Sequence, residues 1–242
     1  MFNYKTTIQY DGTAYAGWQI QENALTIQEV ISKSIQQILQ EEVNLIGAGR
    51  TDAGVHALRQ VANFSSRKEL NLQKFHYSLN SILPHDISVS HIELVDENFH
   101  SRFSAKKRSY IYLISKQKSP FYDRFAYTYF PEMKAEKLNV LSSEIIRLKD
   151  FSSFSKNNPD VQNKICEVFE ARWRSQKNLL IFYIEANRFL YGMVRAIVGS
   201  LIKAYSTENG IEYLKNVFEQ KDRSFAADAV PAKGLFLFKV KY

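Results

Sequence analysis

Hydrophobic and polar residues follow two different periods along the first half of the chain. A period of two, typical of strands, runs through residues 4–10 and 87–95, and residues 43–48 and 58–64 read as short strands around a Gly-rich loop. Two helical faces lie between these segments, formed by Ile27, Val30, Ile31, Ile35, Ile38 and Leu39 and by Leu72, Phe75, Leu79 and Ile82. The pattern therefore predicts the order β-α-β-β-α-β, which is the split βαβ or ferredoxin-like unit.

Turn and capping residues predict where these elements begin and end. Thr26 and Glu29 fit a capping box, in which the hydroxyl and the carboxylate accept from free amides, so a helix is expected to open at Thr26. Asp11-Gly12 is a turn signal after the first strand, and Pro84 closes the second helix.

The second half repeats the same order more loosely. Strands are predicted over 108–115, 164–174, 178–186 and 234–242, and helices over 136–148, 189–204 and 211–220. We therefore predict an α+β fold of two ferredoxin-like units, residues 1–103 and 104–242. They are expected to pack side by side with an extended, mainly antiparallel central sheet.

The amino-acid composition indicates a negatively charged partner. The 242 residues are 45% hydrophobic and 24% charged, as in an ordinary soluble globular protein. Lys and Arg outnumber Asp and Glu by 32 to 25, which gives a formal charge of +7. An excess of this sign favours a polyanionic partner, either nucleic acid or an anionic membrane surface.

Several classes of protein are disfavoured. Cys166 is the only cysteine, so an intramolecular disulfide and a thiolate metal cluster are both excluded. The five histidines lack the spacing of a metal site, and we expect no metal. The N-terminus has no signal-peptide core and no apolar run reaches membrane-spanning length, so a soluble, cytoplasmic protein without membrane association is expected.

One glycine-rich stretch carries the strongest indication of chemistry. Residues 47–57 read GAGRTDAGVHA, and their three glycines permit tight turns or close approach of a ligand. Arg50 can hold a phosphate or a carboxylate through its planar guanidinium. Small residues next to Asp52 leave room beside its carboxylate. The residue types alone also allow a simple Asx-turn at Asp52.

The complete string narrows these alternatives. Residues 49–57 resemble the active-site motif of the TruA family of tRNA pseudouridine synthases. Further similarities occur in order along nearly the whole chain: Tyr10-Asp11-Gly12-Thr13, Gly17-Trp18-Gln19, Leu79-Asn80, Leu83-Pro84, Asp86-Ile87, residues 99–105, Arg108-Ser109-Tyr110, residues 187–190, Met193-Val194-Arg195, Val198-Gly199-Ser200 and Gly234-Leu235. The resemblance implies the pseudouridine synthase fold.

The resemblance also implies roles for individual residues. Asp52 would be the catalytic carboxylate, and Tyr110 would bind the target uracil by stacking, unless it is an ordinary strand aromatic. Arg195 would pair with Asp52 and keep it ionised, whereas a helix arginine is in general often only a solvated charge. Arg50 is the second candidate for that pairing and otherwise a phosphate contact. His56 is expected to be only a hydrogen-bonding loop residue.

Five basic residues are expected to contact the RNA backbone: Arg59, Arg102, Lys106, Lys107 and Arg108. Some positions depart from the family pattern. Arg59 stands where glycine is common, Lys164 stands near a usual arginine, and Tyr191-Gly192 replaces a bulkier polar pair.

By resemblance, the protein would isomerise uridine to pseudouridine at positions 38, 39 and 40 of the tRNA anticodon stem-loop. It would need no cofactor, because the reaction involves no redox change, and it would act as a homodimer on tRNA. Two alternatives remain open at this stage. One is a non-catalytic RNA-binding module, although the aromatic RNA-recognition signature is absent. The other is a synthase with shifted targets, because Arg59 and Lys164 differ.

Overall fold

The computed structural model describes residues 1–156 and 162–242. This part of the chain forms two compact units. The first consists of Met1–Lys106 and Phe236–Tyr242, and the second consists of Lys107–Leu235. The sequence-based division between residues 103 and 104 assigned the last strand to the second unit, whereas nearly all of that strand lies in the first.

The first unit combines two helices with a sheet. In chain order its elements are β1 (Phe2–Tyr10), α1 (Ile27–Leu39), β2 (Ile46–Gly47), β3 (His56–Ser66), α2 (Leu72–Ile82), β4 (Ile87–Val95) and β9 (Leu235–Lys241). β1 lies between β4 and β3 and is antiparallel to both. The short β2 is antiparallel to β3, and β9 adds a short parallel pairing to β3. The predicted order of helices and strands is therefore present.

The two faces of this sheet differ in chemistry. Tyr4 stacks on Phe64 at 5.6 Å between ring centroids, and Phe64 stacks on Phe75 of α2 at 5.8 Å, so the core lies between this face and the helices. Alternation along a strand sends neighbouring residues to the opposite face. There Thr7 lies across from Val61 on β3 and from His91 on β4. We call this second side the open face.

Helix α1 begins as predicted. The Thr26 hydroxyl accepts the amide of Glu29 at 3.4 Å, which is the first half of a capping box. The Glu29 carboxylate contacts Lys33 at 2.6 Å. Ile27 and Ile35 are buried on the face that the periodicity predicted.

The second unit again combines helices with antiparallel strands. Its elements are β5 (Lys107–Ser115), β6 (Tyr127–Thr128), α3 (Ala135–Arg147), β7 (Val168–Gln176), β8 (Leu179–Ala186), α4 (Met193–Tyr205) and α5 (Gly210–Gln220). β8 lies between β5 and β7 and is antiparallel to both. α3 is fixed on β7, because the indole of Trp173 donates to the Ser142 hydroxyl and its backbone amide donates to Asn139.

The α+β class and the mainly antiparallel strand pairing are confirmed. Three predicted boundaries shift. The strand predicted over 43–48 is reduced to Ile46–Gly47, and the strand predicted from 164 begins at Val168. The helix predicted from 189 begins at Met193, because Gly192 before it adopts a positive φ of 72°, which a helix cannot contain. The two-residue β6 was not predicted.

Two further sequence-based expectations concern cysteine and membranes. Cys166 is a buried free thiol, and burial raises its pKa to about 11. Within residues 1–156 and 162–242, every helix is too short or too polar to cross a membrane.

The position of Phe64 leads to a prediction about stability. Replacing Phe64 by Ala should lower the free energy of unfolding by about 3–5 kcal/mol, because the ring is fully buried between Tyr4 and Phe75. Urea denaturation followed by circular dichroism measures the change. Tyr77→Ala, at a position 75% exposed in the same unit, should cost far less. A Phe64→Ala loss below about 1 kcal/mol would contradict this packing.

Candidate active site

The sequence-predicted site residues are divided between the two units. Arg50, Asp52, Arg59, Arg102 and Lys106 lie in the first unit, and Lys107, Arg108, Tyr110 and Arg195 lie in the second. Asp52 and Arg50 share one loop, between β2 and β3, in which Asp52 is half-buried and Arg50 is exposed.

The start of this loop is fixed to strand β3. The Ala48 amide donates to the Val61 carbonyl oxygen at 2.7 Å. The Gln60 side chain donates to the Gly49 carbonyl oxygen at 2.8 Å, and this glutamine is fully buried. A buried amide that bonds to backbone holds its partner firmly, since breaking the bond would leave a polar group unsatisfied. Gln60 thereby sets where the loop leaves the sheet.

The Asp52 side of the loop is held by the segment after β1. The Trp18 amide donates to the Thr51 carbonyl oxygen at 3.1 Å, and the Gly54 amide donates to the Tyr15 carbonyl oxygen at 3.3 Å. The hydroxyls of Tyr10 and Thr51 share a hydrogen bond of 2.8 Å. Asp52 therefore lies between two residues whose backbone groups are tied to the same neighbouring segment.

Two glycines make this close approach possible. Gly17 has a φ of 96°, and a side chain there would place its Cβ 2.5 Å from the Thr51 carbonyl oxygen. A Cβ on Gly12 would overlap the Val55 carbonyl oxygen. Gly47 has a third role, because it leaves room for the indole ring of Trp18. The absence of a side chain at Gly47 thus serves the packing of Trp18 inside the protein.

His56, which was expected to be a hydrogen-bonding loop residue, is the first residue of β3 and forms a hydrogen bond to the segment that follows β1. His56 is buried, stacks on Phe236 at 4.7 Å, and accepts the Gly12 amide on Nδ1 at 3.1 Å. An Asp11 oxygen also lies 3.1 Å from Nδ1. Asp11 accepts the Thr13 amide at 3.0 Å, which is the geometry of an Asx-turn.

Tyr15 also fixes the segment that follows β1, through its contact with Asp86. Its phenol donates to the Asp86 carboxylate at 2.8 Å, and the Asp11 amide donates to the Asp86 carbonyl oxygen at 2.9 Å. Burial, with the hydrogen bond to Asp86, raises the pKa of the Tyr15 phenol, so the group stays a donor at neutral pH.

In the second unit, two tyrosines of β5 share one face but differ in surroundings. Tyr110 is buried, and its ring meets the ring of Phe189 edge to face at 5.0 Å. Tyr112 is fully buried and donates to the Pro231 carbonyl oxygen at 2.8 Å. Burial raises the pKa of the Tyr112 phenol. Tyr112 is thus a core residue of the second unit.

Arg195 lies half-buried in the first turn of α4. Its Nε donates to the Val230 carbonyl oxygen at 2.8 Å, and the Val230 amide donates to the Arg195 carbonyl oxygen at 3.3 Å. Gly199 permits this approach, because a Cβ there would overlap the Asp228 carbonyl oxygen. Both the backbone and the side chain of Arg195 are therefore fixed, and it is not a fully solvated charge.

The basic residues differ in how much of their charge faces solvent. Arg59, Arg102 and Lys106 are exposed. The Lys107 ammonium lies 3.4 Å from Glu185 and 4.1 Å from the centroid of the Phe169 ring. Arg108 donates to the Asn187 carbonyl oxygen at 3.0 Å. These last two residues therefore carry structural contacts within the second unit.

The positions that depart from the family pattern have local explanations. Gly192 supplies the positive φ in front of α4. Tyr191 is exposed, with the Lys156 ammonium 5.1 Å from its ring centroid. Lys164 donates to the Ser155 hydroxyl at 3.3 Å.

A hollow of about 420 Å³ lies on the open face of the first unit. Its lining is rich in basic residues and consists of Lys5, Thr7, Arg59, Val61, Ser90, His91, Glu93, Lys239, Val240 and Tyr242. Asp52 is not part of this lining. In the ranges 1–156 and 162–242, no cluster of three or more His, Cys, Asp or Glu residues could hold a metal ion.

Comparison with known proteins shows sequence similarity along most of the chain. The sequence profile of the family described as tRNA pseudouridine synthase matches residues 7–104 and 148–242. The tRNA pseudouridine synthase A of Thermoanaerobacter sp. (strain X514) is 39% identical over 244 residues, covering 100% of both chains. That of Bacteroides thetaiotaomicron is 39% identical over 245 residues, covering 100% of this chain and 91% of the relative.

The chain belongs to the TruA family of tRNA pseudouridine synthases. This is a family of isomerases. Among solved structures, the archaeal box H/ACA sRNP Nop10-Cbf5 complex is similar over 95% of this chain and 58% of that chain, with 12% identity. Its TM-score of 0.34 is too low to bear on the fold, so membership in the TruA family rests on sequence.

Gln60 and Thr51 at the Asp52 loop, and Val230 beside Arg195, were not predicted from the sequence to position these residues. Gln60 carries a recognisable signal, because it is a polar residue on the strand face that otherwise points into the core. Thr51 and Val230 carry no such signal, since their contribution is a backbone carbonyl, which every residue possesses.

The role of Gly17 leads to a prediction about activity. Gly17→Ala should lower kcat/KM for pseudouridine formation by about 100-fold, because the new methyl group displaces the Thr51 carbonyl and Asp52 with it. Tritium release from tRNA labelled at C5 of uridine measures the rate. Leu25→Ala, in the same segment but with an exposed side chain, is the matched control and should remain active. Equal activity of the two variants would show that the close approach of Gly17 to Thr51 does not position Asp52 for the reaction.

Proposed function

We propose that this protein converts uridine to pseudouridine at positions 38, 39 and 40 of the tRNA anticodon stem-loop, with Asp52 as the catalytic carboxylate and without a cofactor. Membership in the TruA family supports the reaction class. The observation that supports Asp52 most directly is its position between Thr51 and Gly54, whose backbone groups are tied to Trp18 and Tyr15. A carboxylate in such a loop is held in place before substrate arrives.

The reaction needs one carboxylate but no external electron donor or acceptor. The N1–C1′ bond of the uridine breaks, the detached uracil turns, and C5 joins C1′. C5 loses a proton and N1 gains one, so the overall change is an isomerisation. The ribose develops positive charge as the bond breaks, and a carboxylate stabilises that charge, as in glycoside hydrolysis. Covalent attack or removal of a ribose proton are alternative routes that use the same group.

Tyr110, Arg50 and Arg195 are proposed to bind the substrate. Tyr110 supplies an aromatic ring for the uracil, and its contact with Phe189 fixes the orientation of that ring. Arg195 supplies a positive charge whose side chain is already fixed by Val230. Exposed Arg50 has the planar guanidinium that suits a phosphate group.

The RNA backbone is proposed to contact exposed Arg59, Arg102 and Lys106, with Lys107 and Arg108 contributing less because they also make internal contacts. The net charge of +7 supports a polyanionic substrate. A homodimer acting on tRNA completes the proposal.

Replacing Asp52 by Asn tests the catalytic assignment. The variant should lose pseudouridine formation by about 10³-fold or more, because an amide neither carries the negative charge nor accepts a proton. Its affinity for tRNA should be largely preserved. Tritium release from tRNA labelled at C5 of uridine measures catalysis, and filter binding measures affinity.

Asp96→Asn is the matched control for this change. Asp96 lies in the same unit and its side-chain oxygen accepts the Asn98 amide at 2.8 Å, a bond that an asparagine can also accept. It should be fully active. If Asp52→Asn were as active as Asp96→Asn, the catalytic assignment would be lost, whereas wild-type protein that binds tRNA without forming pseudouridine would indicate a binding module.

Salt dependence tests the RNA surface separately. Lys106→Gln should weaken tRNA binding and reduce the slope of log Kd against log salt by about 1, because one phosphate contact is lost. Lys33→Gln is the control, since this exposed lysine lies on α1, on the helical side of the sheet. An unchanged slope for Lys106→Gln would remove this residue from the RNA surface.

A further inference from the structure

A single aromatic ring projects from the segment that follows β4. Phe103 is 76% exposed, although its apolar ring gains no free energy from contact with water. Isolated exposed apolar residues are common in proteins. Phe103 differs from such residues because the chain around it is built as a rigid turn.

The turn around Phe103 is closed by one histidine and one serine. The His100 Nδ1 accepts the amides of both Arg102 and Phe103, at 3.2 and 3.3 Å. The Ser104 amide donates to the His100 carbonyl oxygen at 2.9 Å, and the His100 amide donates to the Ser104 hydroxyl at 3.1 Å. The backbone on both sides of Phe103 is therefore fixed.

The centre of the turn is anchored on the open face of the sheet. Ser101 is fully buried, and its amide donates to the Asn63 side chain of β3 at 2.9 Å. The Tyr242 phenol donates to the Ser101 carbonyl oxygen at 2.8 Å. The Ser101 hydroxyl donates to the carbonyl oxygen of Ile46 in β2, the strand that leads into the Asp52 loop. The turn and the Asp52 loop thus share one rigid support.

Two cation-bearing or aromatic neighbours flank the Phe103 ring. The imidazole of His100 lies 4.3 Å away between centroids, and the guanidinium of Arg102 lies 5.5 Å from the ring centroid. An aromatic ring beside an arginine is the combination with which proteins stack unpaired bases, while the arginine also attracts phosphate. The positive charge of Arg102 favours a polyanionic ligand over an uncharged apolar surface.

We propose that His100, Arg102 and Phe103 form a stacking platform for an unpaired base of the RNA substrate, distinct from the uridine that reacts. The inference rests on the proposed function, because it takes tRNA as the ligand. The loops of a tRNA supply bases that are free to stack on a protein ring. The platform fixes the position of the RNA on the first unit while the reaction takes place at Asp52.

Three replacements of Phe103 separate stacking from simple apolar contact. Phe103→Ala should weaken tRNA binding by about 5- to 150-fold, the range found for one base stacked on an aromatic residue. Phe103→Trp should bind as tightly as wild type or more tightly. Phe103→Leu keeps much of the apolar area but lacks a π-face, so it should resemble the alanine variant. Tyr77→Ala, an equally exposed aromatic on α2, should bind as wild type does.

Two RNA probes and a spectroscopic measurement sharpen the test. A fully paired RNA duplex presents no unpaired base, so its affinity should not change in Phe103→Ala. A tRNA transcript should quench the added tryptophan fluorescence of Phe103→Trp, relative to the wild-type signal of Trp18 and Trp173, because a stacked base quenches an indole.

The outcomes distinguish this inference from the proposed function. Wild-type protein that forms pseudouridine, together with Phe103→Ala that binds tRNA normally, would overturn the platform alone. Equal weakening for tRNA and duplex would also overturn it, as would a Phe103→Leu variant that binds like wild type. Loss of self-association in Phe103→Ala, measured by sedimentation without a change in intrinsic RNA affinity, would assign the ring to a protein contact. Absence of pseudouridine formation by the wild type would instead refute the function.

Discussion

The hydrogen bonds that join residues 15–18 to residues 51–54 determine where the Asp52 carboxylate lies. Both are backbone contacts, so they do not depend on the rotamers of flexible side chains. They form only because Gly17 and Gly12 have no Cβ to separate the two segments. The loop is further held at its start by Gln60 and at Thr51 by Tyr10. The catalytic role proposed for Asp52 would benefit from such preorganisation, because the position of the carboxylate would not have to be found during the reaction.

In the second unit, Arg195 is positioned in much the same way as Asp52 is in the first. Arg195 is fixed through backbone groups of Val230, and the approach is possible because Gly199 lacks a side chain where Asp228 passes. In both units a glycine permits two segments to touch, and a charged residue lies at or next to the junction. Gly12, Gly17 and Gly199 are therefore best understood by what packs against them. A vacant space for ligand is only one of the possibilities that a glycine-rich sequence allows.

Sequence periodicity predicted the elements whose amphipathic faces are long, such as α1, α2 and β1, because burial of one face decides their structure. It failed where a local backbone state overrides the pattern, as at Gly192, which delays the start of α4. The Asp52 loop was found from its residue string. The backbone supports of this loop and of Arg195 could not be predicted, because the carbonyls of Thr51 and Val230, respectively, form bonds that depend on the folded chain and not on residue type.

Net charge illustrates the same limit. The basic stretch around residue 106 looks uniform in the sequence, yet Lys107 lies beside Glu185 and Phe169, and Arg108 bonds to a backbone carbonyl. A cation paired with a carboxylate, as Lys107 is with Glu185, adds little to a long-range interaction with phosphate, because the nearby anion offsets its field. Arg102 and Lys106 expose their side chains to solvent, and Arg102 also lies beside the ring of Phe103. The electrostatic surface proposed to contact RNA is therefore a subset of the charge in the sequence, and which residues it includes follows from the packing around each one.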